Sequence, residues 1–121
     1  MPEDFHAQCD GKGPTLTLLQ TEEGNCIGGF TEASWSSPPP KEWEYKIDSK
    51  AFLFNLTSQI SFKIKDQTQA IRCERSCGPY FGSGDLALMK GPFNNKYACS
   101  FGNRRYFKVE VDDDLINKLT N

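Results

Sequence analysis

Five cysteines and a single histidine are the residues of this 121-residue chain whose side chains are best suited to chemistry. Cys73 and Cys77 are the two thiols closest to each other in sequence, and the basic residues near them are Arg72, Arg75 and Lys65. Positive neighbours lower the pKa of a thiol and make it easier to oxidise. One hypothesis is therefore a thiol-based redox-responsive protein that uses Cys73 and Cys77. The alternative is that both are inert residues of a strand.

The cysteines and His6 favour neither metal binding nor nucleophilic catalysis. A structural zinc site takes four ligands in two close pairs, whereas Cys73 and Cys77 are separated by three residues and His6 is far from both. A catalytic triad would depend on His6 alone. The paired acidic residues fall in predicted turns or at a helix start, where solvated carboxylates are ordinary. We therefore predict no metal ligand and no catalytic residue.

A glycine-rich stretch, Gly82-Ser83-Gly84-Asp85, partly resembles a dinucleotide-binding fingerprint. That fingerprint binds a pyrophosphate only where a strand precedes it and a helix begins within it. The residues after Asp85 have the pattern of a strand instead. The stretch therefore predicts a hairpin turn and no cofactor.

The charge of the chain argues against nucleic acid as a partner. The formal net charge is -2 and the sequence pI is about 5.4, whereas binding to a phosphate backbone relies on an excess of Lys and Arg. No apolar run approaches the ~20 residues of a membrane helix, and the acidic start Met1-Pro2-Glu3-Asp4 lacks the features of a signal peptide. We expect a cytoplasmic protein without membrane insertion, and an odd number of scattered cysteines favours reduced thiols.

Short apolar or alternating runs bounded by turn residues recur along the chain and predict strands. Residues 15–19 and 26–31 are expected to form a hairpin, in which Gly28-Gly29 marks a bulge or the close approach of another backbone. Short helices are expected before Gly11 and over residues 112–121. A mainly β chain with short flanking helices indicates a β-sandwich or a related antiparallel architecture. The other predicted strands are at residues 51–56, 60–65, 70–73, 80–81, 85–89, 97–101 and 106–111.

Residues 34–41, here called the proline loop, contain three consecutive prolines, which cannot donate ladder hydrogen bonds. Trp35 lies within this loop, and Trp43 follows it. Their rings either form an exposed contact patch or fold back to cover the sheet. The candidate contact residues are Ser34, Trp35 and Trp43 beside the loop, together with Asp85 at the glycine turn.

Several blocks, taken in order, carry a family resemblance that extends over nearly the whole chain. They are Phe5-His6, Cys9-Asp10-Gly11-Lys12-Gly13-Pro14-Thr15-Leu16, Gly28-Gly29-Phe30-Thr31, Ser34-Trp35, Asp48 with Ala51-Phe52-Leu53-Phe54-Asn55-Leu56, Gly78-Pro79-Tyr80-Phe81-Gly82-Ser83-Gly84-Asp85-Leu86, Cys99-Ser100-Phe101-Gly102-Asn103, and residues 106–111. This ordered set resembles the TLDc domain, the module of the oxidation-resistance and interferon-induced-44-like proteins.

The resemblance implies a two-sheet antiparallel β-sandwich that forms one domain over residues 1–121, without a settled catalytic mechanism. Relatives are associated with protection against oxidative stress, and some bind the vacuolar proton-pumping ATPase. The chain has no P-loop pattern, so the GTP binding of some relatives is not carried over. The prediction is a non-enzymatic protein-interaction domain, with the vacuolar proton-pumping ATPase as candidate partner and no cofactor.

The chain also departs from the family pattern at its start. Members usually have a further strand upstream of the position that matches Met1, so the comparison predicts a domain truncated at its N-terminus. An open sheet edge of this kind favours pairing with another chain. We therefore expect a dimer through that edge, and a truncated domain with no independent role is the alternative.

Overall fold

The computed structural model describes residues 2–90, 97–101 and 107–111 of the chain. Within these residues it has one α-helix, one 3₁₀ turn at Gln67–Gln69 and ten strands. In chain order the elements are α1 (Pro2–Cys9), β1 (Thr15–Gln20), β2 (Cys26–Thr31), β3 (Glu44–Lys46), β4 (Phe52–Asn55), β5 (Ile60–Ile64), β6 (Ile71–Cys73), β7 (Cys77–Phe81), β8 (Leu86–Lys90), β9 (Tyr97–Phe101) and β10 (Phe107–Val111).

The strands form two five-stranded sheets in the described part of the chain, and all neighbouring strands are antiparallel. The first sheet has the order β1-β2-β4-β5-β10, and the second has the order β3-β6-β7-β8-β9. The predicted two-sheet antiparallel β-sandwich is confirmed. So is the hairpin of β1 and β2, in which Thr15 pairs with Thr31 and Gln20 with Cys26.

The core lies between the sheets and joins apolar side chains from both of them. Ile27, Leu53 and Phe62 come from the first sheet, and Ile71 and Phe81 come from the second. Each of these side chains is at most 5% exposed. The predicted alternation of β5 is only partly present, because Ser61 and Phe62 are both buried in a strand that has neighbours on either side.

Gly28 and Gly29 are where the sheet needs residues without a side chain, as the sequence predicted. A Cβ on Gly28 would lie 2.0 Å from the Thr17 carbonyl oxygen and 2.6 Å from Cζ of Phe54. A Cβ on Gly29 would lie 2.7 Å from Cζ of Phe81, in the opposite sheet. The pair therefore lets β1 and two aromatic rings approach the backbone of β2 closely.

Helix α1 confirms the helical segment predicted before Gly11. Gly11 has a φ of 70° and Gly13 a φ of 74°, so the backbone leaves the helix through the left-handed region that glycine adopts without strain. Asp10 then forms an isolated parallel bridge with Trp35. This bridge holds the end of α1 against the proline loop. The helix predicted over residues 112–121 lies outside the described residues.

Candidate functional site

An open cleft of about 800 Å³ lies where α1, the proline loop and the turn between β6 and β7 meet. The side chains that give this cleft its chemistry are His6, Lys41, Trp43, Arg72, Glu74 and Arg75. They come from three segments that are distant in sequence. The fold therefore creates a mixed aromatic and charged surface that no single stretch of the chain contains.

Arg72 is held between two aromatic rings in this cleft. Its guanidinium carbon lies 4.6 Å from the ring centroid of Trp43 and 5.0 Å from that of Tyr80. A terminal nitrogen donates to the Glu74 carboxylate at 2.5 Å. Burial by itself would lower the pKa of Arg72, but the hydrogen bond and charge of Glu74 outweigh it and raise the pKa. The side chain is therefore a fixed cation in contact with two aromatic rings.

Glu74 is the acceptor on which three donors converge. Besides the bond from Arg72, its other carboxylate oxygen accepts from Ser76 Oγ at 2.9 Å and from the Cys77 thiol at 3.3 Å. Burial alone would raise the pKa of Glu74, but the hydrogen bonds from Arg72, Ser76 and Cys77 and the charge of Arg72 together lower it. Glu74 therefore remains a carboxylate that fixes both Arg72 and the β6–β7 turn.

His6 links α1 to that same turn. Its Nε2 lies 2.9 Å from the Glu74 carbonyl oxygen and 2.8 Å from the Cys77 carbonyl oxygen, and its Nδ1 lies 2.8 Å from Asp10 Oδ1. Because carbonyl oxygens can only accept, Nε2–H is the donor that both of them share. Ser37 Oγ donates to the other Asp10 oxygen at 2.5 Å. Helix, turn and proline loop are thus joined around one imidazole.

His6, Asp10 and Ser37 do not have the order of contacts that a catalytic triad requires. In a triad the histidine lies between the nucleophile and the carboxylate. Here Asp10 lies between His6 and Ser37, and Nε2 of His6 is occupied by two carbonyl oxygens. This trio is therefore a structural connection between segments.

Arg75 fixes the opposite wall of the cleft. It donates to the carbonyl oxygens of Ser37 and Pro38, each at 3.1 Å. Within the described residues neither Arg75 nor the exposed Lys41 has a carboxylate in contact. An acidic group that approaches the cleft would meet these two positive charges and also Glu3, which lines the cleft.

Of the predicted contact residues, Trp43 is the one that the structure brings into the cleft, where it is 55% exposed. Ser34 is half-buried, and its Oγ accepts from Gly13 N at 3.0 Å, so it braces the turn after α1.

Trp35 and Asp85 are buried, and the contact role predicted for them does not fit their placement. Trp35 is 1% exposed, its indole N–H donates to Thr15 Oγ1, and its ring packs edge-on against Phe5 and Phe81. Asp85 is 0% exposed and accepts from Ser83 N across the β7–β8 turn. Burial of the Trp35 ring in the core and of Asp85 in the predicted hairpin turn takes both away from the surface.

The pKa values of the two candidate redox thiols are shifted in the opposite direction from the one the sequence indicated. Burial raises the pKa of Cys73, which lies in β6 and is 0% exposed. Burial, together with the hydrogen bond to Glu74 and its charge, raises the pKa of Cys77 to about 11. The expectation of lowered pKa values is therefore wrong, because burial outweighs the lowering effect of Lys46 on Cys73 and of Arg72 on Cys77.

We expect Cys77 to react slowly with thiolate-specific reagents at neutral pH. A pKa about two units above the ordinary 9.0 leaves about a hundredfold less thiolate at pH 7. Alkylation by iodoacetamide, followed by peptide mass spectrometry from pH 7 to 11, measures this with the half-buried Cys9 as internal reference. Glu74→Gln should speed the reaction of Cys77. Reaction of Cys77 as fast as Cys9 at pH 7 would contradict the expectation and favour the redox hypothesis.

Several residues of the cleft were missed by reasoning from the sequence. His6 was considered only as a catalytic base, and Arg72 only as a charge beside a thiol. The missing signal is spatial, since His6 contacts residues 68 and 71 positions away. The alternation of Arg72 with buried Ile71 and Cys73 in β6 was the one usable indication that its side chain faces outward.

Among the residues that the structure describes, no group of three or more His, Cys, Asp or Glu side chains is arranged to hold a metal ion. In the same residues no helix is long and apolar enough to cross a membrane.

Comparison with known proteins gives one family and one relative. The sequence pattern of the TLDc domain family matches residues 2–121. MTOR-associated protein MEAK7 from Danio rerio is 35% identical over 48 residues, which are 40% of this chain and 10% of that protein. The match therefore spans about a tenth of that relative's length. No solved structure matches the chain significantly.

Proposed function

The chain belongs to the TLDc domain family, and from this premise we propose that it is a non-enzymatic protein-interaction domain that contacts its partner through the cleft beside Trp43. The observation that carries the proposal is the exposed Trp43 ring stacked on Arg72. Trp and Arg are the side chains most enriched at the energetic centres of protein interfaces. A large aromatic surface already fixed in place offers area without a large ordering cost.

The charges at the rim favour an acidic segment of the partner. Arg75 and Lys41 carry positive charge beside Trp43. The charge of Arg72 is already balanced by Glu74, and Glu3 is the one further acidic residue among the described residues of the lining. An Asp or Glu of the partner would reach Lys41 or Arg75 while an apolar side chain covers the Trp43 ring. Contacts of this kind raise the association rate and make binding sensitive to salt.

We propose the vacuolar proton-pumping ATPase as the partner, in the cytoplasm, and protection against oxidative stress as the process that the interaction serves. The support is the family resemblance carried by the ordered sequence blocks, together with the exposed contact surface. The thiol-based alternative has less support, because the pKa values of Cys73 and Cys77 are raised. It stays a prediction that the alkylation experiment decides.

We expect Trp43→Ala to reduce partner binding at least tenfold while the domain remains folded, since truncation of an interface Trp removes about 2 kcal/mol or more. The measurement is a pull-down of vacuolar ATPase subunits with the purified chain, followed by titration of the captured subunit. Ile47→Ala is the matched control, because Ile47 is also a large exposed apolar residue, at 69%, and does not line the cleft. Equal binding by both variants would contradict the cleft, and failure to capture any ATPase subunit would contradict the partner.

A further inference from the structure

The outer edge of β1 is a second surface, one whose backbone groups no described strand uses. β1 is an edge strand of the first sheet, and no described residue pairs with its outer side. Thr21 N donates to Asn25 O at 2.8 Å just beyond the strand. Because hydrogen-bonded and non-hydrogen-bonded pairs alternate in an antiparallel ladder, Leu19, Thr17 and Thr15 also exchange their backbone bonds with β2.

The remaining residues of the strand, Leu16, Leu18 and Gln20, therefore direct their N–H and C=O groups away from β2. Cys26, the partner of Gln20 in β2, is consistent with this assignment because its own backbone groups face away from β1. Its C=O accepts from Leu56 N at 2.7 Å, and its N–H donates to Thr57 Oγ1. Three donors and three acceptors are thus aligned along the outer edge of β1.

The side chains of Leu16, Leu18 and Gln20 are uncharged, and the first two are apolar. Leu16 is 45% exposed and Leu18 is 55% exposed, and the strand Thr15–Gln20 contains no charged residue. Natural edge strands usually carry a lysine, a proline or a bulge that prevents pairing. None of these devices interrupts β1, whose register with β2 runs continuously from Thr15 to Gln20.

The charges that flank the strand indicate which occupant fits the edge. Lys12 precedes β1, and Glu22 and Glu23 follow it, all three exposed. If a second copy pairs antiparallel with Leu18 opposite Leu18, residue 12 of one copy lies opposite residue 24 of the other. Lys12 then comes to the same end as Glu22 and Glu23 of the second copy, and the arrangement repeats at the other end.

We propose that two copies of this chain dimerise by antiparallel pairing of β1 with β1, with Leu18 at the two-fold axis. In this register Leu16 pairs with Gln20 of the second copy, so all outward donors and acceptors are used in six backbone hydrogen bonds. The two first sheets become one continuous ten-stranded sheet. The proposal uses no residue of the cleft and does not depend on the proposed partner.

An apolar groove lies beside β1. It has a volume of about 380 Å³ and lies between β1, α1 and β7, with Phe5, Leu19, Pro79 and Leu88 among its apolar walls. A strand added at the edge of β1 would cover Leu16 and Leu18, which line this groove, on both copies.

Sedimentation equilibrium over a range of concentrations tests the dimer, with Leu18→Pro as the decisive variant. Proline at this position removes an outward N–H and leaves the bonds to β2 intact, so we expect the chain to dimerise and Leu18→Pro to be monomeric. Leu18→Ala keeps the N–H and should still dimerise, more weakly. Hydrogen exchange on the unmodified chain should show concentration-dependent protection of the Leu16, Leu18 and Gln20 amides, which does not depend on any variant folding.

Charge exchange separates self-pairing from capture of another strand. Lys12→Glu and the double variant Glu22→Lys with Glu23→Lys should each dimerise poorly, and their mixture should form a heterodimer about tenfold more tightly than either alone at low salt. A chain that is monomeric at about 100 μM, with these three amides unprotected, would overturn the proposal. So would a dimer that Leu18→Pro leaves unchanged.

Discussion

Replacing Gly28 by alanine is expected to prevent folding, or to lower the free energy of unfolding by about 3 kcal/mol or more. The added Cβ would lie 2.0 Å from the Thr17 carbonyl oxygen, a backbone atom fixed in the β1–β2 ladder. The ring of Phe54, 2.6 Å away, blocks the other direction. Because most domains are stable by only about 5–15 kcal/mol, urea unfolding followed by tryptophan fluorescence should show a large shift of the midpoint.

Gly24→Ala is the matched control for this prediction. Gly24 has a φ of 89° in the β1–β2 turn, but a Cβ there would have no atom within 4 Å. The control therefore measures conformational strain without a steric clash, and should cost about 1 kcal/mol. Equal destabilisation by Gly28→Ala and Gly24→Ala would show that close approach of β1 is not what requires Gly28.

Trp35→Ala is expected to lower the free energy of unfolding by about 3–5 kcal/mol, the usual loss for a buried aromatic side chain. The ring is 1% exposed and contacts Phe5 and Phe81 at centroid distances of 5.2 and 5.5 Å. Its removal would leave a cavity between α1 and the second sheet. Thermal unfolding monitored by circular dichroism measures the loss.

Trp43→Ala provides the contrast for Trp35→Ala, because the same chemical change is made eight residues away on an exposed side chain. We expect it to cost about 1 kcal/mol or less, mainly through the lost contact with Arg72. Trp35→Phe should fall between the two, since it keeps most of the packing and loses the hydrogen bond to Thr15. A small effect of Trp35→Ala would mean that its ring is not part of the core.

Local patterns in the sequence were enough to predict most of the fold. The threonine and leucine run of β1, the apolar run of β4 and the turn residues between strands are short-range signals that depend on a few neighbouring residues. Gly28-Gly29 was also informative, since paired glycines in a strand have few other uses. The division of the strands between two sheets is not a local property, and it came from the family resemblance.

The cleft could not be predicted in the same way. Trp35 and Trp43 are alike in type and both border the proline loop, yet one is buried and the other exposed. Arg72 is adjacent to Cys73 in the sequence, but its guanidinium contacts the rings of Trp43 and Tyr80 in space. The pKa of Cys77 is raised by burial and by Glu74. Neither effect can be predicted by counting the charged residues that are close to Cys77 in the sequence.

Arg72 is already immobilised in the unbound domain by two rings and a carboxylate. An arginine normally loses about 0.5–1.5 kcal/mol of side-chain entropy when an interface orders it. Because Arg72 already loses this side-chain entropy on folding, a partner that covers Trp43 binds a surface whose shape is already fixed. We expect this rigidity to lower the dissociation rate of the partner more than it raises the association rate.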